Sequence, residues 1–196
     1  MSKSDRWGSA WEQCYVYFGL DDGQFEEEIA CLRLAFYLAS FGMFRASGKT
    51  RKLQLRDYAE LVKVCRRARA LRDKQPKELA KVQGNVEKFL RALSKSLEDL
   101  DVSATDTILS KIALGTTACM PAYDRFAKLT LRSNSIIATP SKMGLNAIYA
   151  LRKSDLAKFG VLQAGDIPFM RALDIVLKDT GEELDKIKKA AKKQQD

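Results

Sequence analysis

The 196-residue sequence predicts an all-α fold, a compact orthogonal bundle of about eight helices. Three observations predict it. Apolar residues recur at steps of three and four nearly everywhere, with no convincing strand alternation. No heptad persists from one segment to the next, which argues against a coiled coil. No glycine-rich loop follows a strand, which excludes phosphate-cradle and dinucleotide-binding folds. Hydrophobic residues are 46% of the chain, enough to build a core. Residues 1–185 read as one helical domain and residues 186–196 as a lysine-rich tail that frays.

The elements follow in order. SAWEQCYVYF, residues 9–18, reads as a short helix, and LDDGQ turns the chain with a capping carboxylate at Asp21 or Asp22. FEEEIACLRLAFYLASFGMF, residues 25–44, opens with three acids that suit the helix dipole. Beyond Ile29 it is apolar almost all round, so this helix is expected to be central and buried. RASGKTRK, residues 45–52, is a basic loop. DYAELVKVCRRARALRDK, residues 57–74, is an amphipathic helix, with Tyr58, Leu61, Val62, Cys65, Ala68 and Leu71 on one face. Pro76 opens the next helix, and apolar steps of three and four carry it from Leu79 to Leu97. DVSATD offers Ser103 and Thr105 as N-caps. TDTILSKIALGTTACM is a further helix, and Pro121 is expected to restart another through PAYDRFAKLTL. SKMGLNAIYALRKSDLAKFG gives one helix with a break near Ser154, and a last helix starts near Pro168.

Composition narrows the chemistry. The chain has no histidine, which removes Ser-His-Asp and Cys-His nucleophiles, histidine general bases and histidine-ligated metals. Cys14, Cys31, Cys65 and Cys119 are far apart, with no CxxC pair, and read as buried free thiols. No metal or other cofactor is expected. No apolar run approaches the roughly 18 residues of a membrane span. The N-terminal MSKSDRWGSAWEQ lacks the apolar core of a signal peptide. The expectation is a soluble, cytoplasmic protein with no membrane partner. A net charge of +9 makes a polyanion the default partner, with nucleic acid first.

The stretch that carries most information is SKIALGTTACMPAYDRFAKL, residues 110–129. An apolar helix ends in Gly115, Thr116, Thr117 and Ala118, small residues that permit close packing. Pro121 follows, then Asp124 near a helix start, where free backbone N–H groups and the dipole stabilise a carboxylate. Read on position alone, Asp124 simply helps begin a helix.

The order of segments resembles the helix-hairpin-helix DNA glycosylase superfamily of endonuclease III type. There an apolar helix with a small-residue end and a proline precedes the catalytic aspartate. IALGTTACMP, residues 112–121, is similar to that helix end, and LAFYLASFGMFRAS, residues 34–47, lies about where the first core helix belongs. The same segments resemble a group of uncharacterised bacterial proteins with LAS-x-GM-x-R and PAYD signatures. The chain departs from the superfamily in reading DLDVSATDT where a glycine-rich hairpin belongs. Isoleucine stands at position 108, where the lysine of bifunctional members aligns, and Lys111 comes one turn later.

The resemblance implies a DNA glycosylase-like enzyme, a hydrolase of base excision with an aspartate-only, monofunctional mechanism and Asp124 as its catalytic residue. A pocket for an extruded base needs aromatic walls, for which Phe36, Tyr37, Phe41, Phe44 and Tyr123 are candidates. Arg45, Lys49, Arg51, Lys52, Lys111 and Arg125 would meet the phosphates of double-stranded DNA. The run CRRARALRDK adds Arg66 and Arg69 as a basic stripe suited to phosphates. Trp7, Trp11, Tyr15 and Tyr17 could stack on bases or pack over the core. The alternatives are a non-catalytic basic helical module that binds nucleic acid, and a regulatory protein whose charge serves solubility. Oligomeric state stays open.

Overall fold

A computed structural model describes residues 9–43, 53–151 and 167–193 of the chain. Among the described residues there are nine α-helices and no strand. They are α1 (Ala10–Gly19), α2 (Glu27–Ser40), α3 (Tyr58–Arg67), α4 (Pro76–Lys81), α5 (Gln83–Asp99), α6 (Asp106–Thr116), α7 (Arg125–Ser133), α8 (Lys142–Tyr149) and α9 (Phe169–Lys193). The all-α class read from the apolar spacing is the class observed. No helix among the described residues is long and apolar enough to cross a membrane.

The central helix is α6, not the expected α2. Every residue from Ser110 to Tyr123 is buried. Helices α1, α2 and α5 pack around α6, while α9 pairs closely with α7, α3 lies between α2 and α5, and α4 rests on α8. Helix α2 turns one side to α1, α3 and α6 and leaves Leu32 and Phe36 exposed, at 52% and 58%. Its apolar periphery exceeds what its neighbours cover. Helix α6 reaches the centre because it is small where it must be. A Cβ on Gly115 would lie 2.3 Å from the Tyr37 ring, so glycine is what lets α2 and α6 approach.

Several boundaries differ from the periodicity. The helix expected over 57–74 stops at Arg67 and tightens into a 3-10 turn over Arg69–Leu71. The long helix expected after Pro76 breaks at Val82, which leaves helical geometry. Buried Gln83, the first residue of α5, donates to the Lys142 carbonyl at 2.7 Å and ties that break to α8. Pro121 does not restart a helix. Residues 121–124 are non-helical, and α7 begins only at Arg125. The lysine-rich end is helical through Lys193, with its side chains in solvent. Trp11 and Tyr15 stack on each other in the core, and the Trp11 Nε1–H donates to the Leu114 carbonyl at 3.1 Å. All four cysteines are free and buried.

Three arginines of the run are spent inside the fold, while Arg67 stays exposed. Arg66 donates to the Phe18 and Leu20 carbonyls at 3.2 and 2.8 Å and pairs with Asp22. Arg69 donates to the Gly19 carbonyl at 2.9 Å and pairs with Asp21 at 2.7 Å. Arg72 reaches the Thr116 carbonyl at 2.6 Å and stacks over Tyr15. These carbonyls lie at or beside the ends of α1 and α6, where helices leave acceptors unsatisfied. The arginines therefore act as long-range C-caps.

Candidate active site

The site is built where α6, the 118–124 segment and α9 meet the end of α2. Helix α6 starts at Thr105, whose hydroxyl accepts from the Ile108 N–H. It ends with the Thr117 and Ala118 N–H groups both on the Ala113 carbonyl, and Ala118 in the left-handed region at φ 49°. That turn sends the chain into a non-helical, buried passage. Side chains satisfy its backbone. The Ala122 N–H donates to Asp174 Oδ1 at 2.9 Å, and the Tyr123 N–H donates to Ser110 Oγ at 2.7 Å. The Tyr123 carbonyl accepts from the Thr107 hydroxyl at 3.0 Å. These contacts satisfy residues 121–124 outside a helix, and α7 begins only at Arg125.

Asp124 is the N-cap of α7. Its Oδ1 accepts from the Phe126 and Ala127 N–H groups, both at 3.0 Å. The helix-start role read from the sequence is thus observed. It engages one carboxylate oxygen. Among the described residues Oδ2 has no hydrogen-bond or ion-pair partner, and Asp124 lines a cavity of about 380 Å³ together with Ser40, Phe41, Gly42, Lys111, Phe126 and Lys178.

Lys111 and Lys178 bring positive charge to that cavity. Lys111 sits mid-helix on α6, is 6% exposed, and donates to the Phe41 carbonyl at 3.0 Å, with its ammonium 5.2 Å from the Phe41 ring. Burial pushes its pKa below the ordinary lysine value, while the charges of Asp124 and Asp174 oppose the shift. Lys111 and Asp124 interact through space without closing into a direct ion pair. Behind them, Asp174 of α9 is buried and pairs with Arg171 at 2.6 Å. Burial raises the Asp174 pKa; Arg171 and the Ala122 N–H work against that. The Arg171 guanidinium lies 5.1 Å from the Trp11 ring centre and 5.8 Å from that of Phe41.

The aromatic candidates separate. Phe41 lines the cavity. Tyr37 and Tyr123 are fully buried; the Tyr37 hydroxyl donates to the Lys111 carbonyl at 3.0 Å, and the Tyr123 hydroxyl has no partner among the described residues. Phe36 points into solvent away from the cavity. Of the basic candidates, Lys111 lies inside the site rather than on a surface, and exposed Arg125 pairs with Asp185. Arg66 and Arg69 are engaged as caps on the α1 end. Trp7, Phe44, Arg45, Lys49, Arg51 and Lys52 lie outside the described residues.

Three participants escaped sequence reasoning: Asp174, Arg171 and Lys178. Asp174 did leave a signal. In PFMRALDIVLK it falls on the stripe of Met170, Leu173 and Leu177, a carboxylate on the apolar face of a helix. Among the described residues no group of three acidic or thiol side chains could hold a metal ion. Comparison of the chain with protein-family models, with curated proteins and with solved structures finds no match in any of the three.

Proposed function

We propose that the chain is a DNA glycosylase-like enzyme that hydrolyses the N-glycosidic bond of a damaged or modified base, with Asp124 as its catalytic carboxylate. The observation that carries this reading is the division of labour at Asp124. One oxygen is fixed by the first amides of α7, the other has no partner among the described residues, and Asp124 lines a cavity with Lys111 and Phe41. A carboxylate so oriented stabilises the positive charge that grows on the sugar as the C1′–N bond breaks. The bond's electron pair leaves with the base, which takes a proton from solvent. Water adds to C1′ and passes its proton to Asp124. The mechanism needs neither histidine nor metal.

The test incubates the protein with duplex DNA pools carrying damaged or modified bases, then treats with alkali to break abasic sites. Asp124→Asn keeps an N-cap oxygen and so separates chemistry from folding. Strand breaks with the wild type that vanish in a folded, DNA-binding Asp124→Asn support the reading. Borohydride added during turnover shows whether Lys111 joins in: a trapped adduct lost in Lys111→Met replaces the aspartate-only mechanism.

A second reading rests on a different observation. The last turns of α9 expose Lys186, Lys188, Lys189, Lys192 and Lys193. A non-catalytic module would bind nucleic acid through them, with affinity falling steeply with salt. Cleavage absent on every pool, with such binding present, selects this reading and returns Asp124 to capping alone.

A further inference from the structure

Helices α3 and α5 run side by side and leave a groove between them of about 260 Å³. Its floor is apolar, with Val64, Ala68, Leu71 and Phe89. Leu71 and Phe89 belong to the core, at 4% and 5% exposure. Each wall carries one exposed cation, Arg67 from α3 and Lys88 from α5. Neighbouring Arg66, Lys63 and Arg91 each have an acidic partner. Among the described residues Arg67 and Lys88 have none, although both lie in a region that also carries Glu60 and Glu87. An apolar floor framed by two cations that close no direct ion pair among the described residues is complementary to an apolar body with an anionic head.

We propose that the α3–α5 groove binds a small amphiphilic carboxylate, a short aliphatic chain or single ring with one acid group. The volume lies below the roughly 300–1,000 Å³ that takes a drug-sized ligand, which limits the body to a short chain or one ring. Arg67 supplies the planar fork that matches a carboxylate, and Lys88 supplies a second charge from the opposite wall. The apolar floor favours such a ligand over bare phosphate, which has no apolar body to bury there. The site is separate from the Asp124 cavity, with which it shares no lining residue, so the proposal stands independently of the glycosylase reading.

Octanoate is the probe, with 1-octanol as its uncharged counterpart, titrated into the full chain and followed through backbone amide shifts. The expected result is saturable shifts confined to α3, the turn after it and α5. Octanol should bind roughly tenfold or more weakly, as should octanoate to Arg67→Ala/Lys88→Ala, since each loses a charge-assisted contact. Both residues are exposed, so that variant keeps its fold. Ala92→Phe, which fills the groove from α5, should abolish the shifts while the far-ultraviolet spectrum stays unchanged. Three results would overturn the proposal. One is no saturable shift with octanoate. Another is equal affinity for the double variant or for octanol. The third is shifts spread over the molecule, or an acidic helical peptide seating in the groove where octanoate does not.

Discussion

Replacing Gly181 with alanine tests how closely α9 is pressed onto the start of α7. A Cβ at position 181 would stand 2.2 Å from the Phe126 carbonyl oxygen, 2.6 Å from its carbon and 2.8 Å from its Cα. All three are backbone atoms in the first turn of α7, next to the Asp124 cap, and none can rotate away. A close carbon–oxygen contact needs about 3.3 Å, so the two helices must part by about 1 Å. Overpacking of this kind costs about 1–3 kcal/mol. A fixed backbone obstacle argues for the upper end. Alanine is intrinsically the better helix former by about 0.8–1.0 kcal/mol, which leaves a net loss of about 2 kcal/mol. At about 2–4 °C per kcal/mol for a chain of this size, Tm should fall by about 4–8 °C. Gly84→Ala is the control. Nothing lies within 4 Å of a Cβ there, so helix propensity acts alone and Tm should rise slightly. Thermal unfolding followed by circular dichroism reads both. If Gly181→Ala melts at or above the Gly84→Ala temperature, the inferred packing of α9 against α7 is wrong.

Two further predictions concern the interior. Asp174→Ala strips the buried Ala122 N–H of its acceptor and leaves Arg171 without its partner. The loss should be about 3–5 kcal/mol in urea denaturation, against less than about 1 kcal/mol if the carboxylate is a bystander. The second is an alkaline dependence. Burial pushes the Cys65 thiol from its ordinary 9.0 up to about 12 and the Cys119 thiol up to about 11. Between about pH 9 and 11 the unfolded chain releases these protons while the folded chain keeps them. Folded protein then binds more protons, so stability falls as pH rises, by up to about 1.4 kcal/mol per pH unit for each thiol. Cys65→Ala should shallow the slope of urea midpoint against pH by one thiol's share, and an unchanged slope would refute the assignment.

Much of the bundle was legible because its helices carry their own signals. Ser9 and Glu12 form a capping box at the start of α1, Thr105 caps α6, and Pro76 opens α4. Asp124 was legible too, both as a carboxylate near a helix start and as a neighbour of the small-residue end of α6. What sequence spacing could not carry were partnerships across the chain. Arg66, Arg69 and Arg72 read as a surface stripe, because nothing local reveals that their acceptors are carbonyls at the ends of α1 and α6. The non-helical passage before Asp124 was hidden for the same reason. Its donors are satisfied by Asp174 and Ser110, 52 and 13 positions away. Burial order also misled: α2 is the more uniformly apolar helix, yet α6 is central because Gly115 lets Tyr37 close on it.

The arginine caps bear on the order in which the molecule assembles. Helix α1 has ten residues, fewer than the roughly 12–15 at which a lone helix becomes marginally stable in water. The acceptors at its end are met by donors 46–50 positions away on α3 and the turn after it. The apolar face of α1 is covered by α2 and α6, but until that segment docks its terminus stays open. The two should therefore form, and open to hydrogen exchange, as one cooperative unit. The N-terminal helix of this chain is in that sense a late product of folding, held by a segment made well after it.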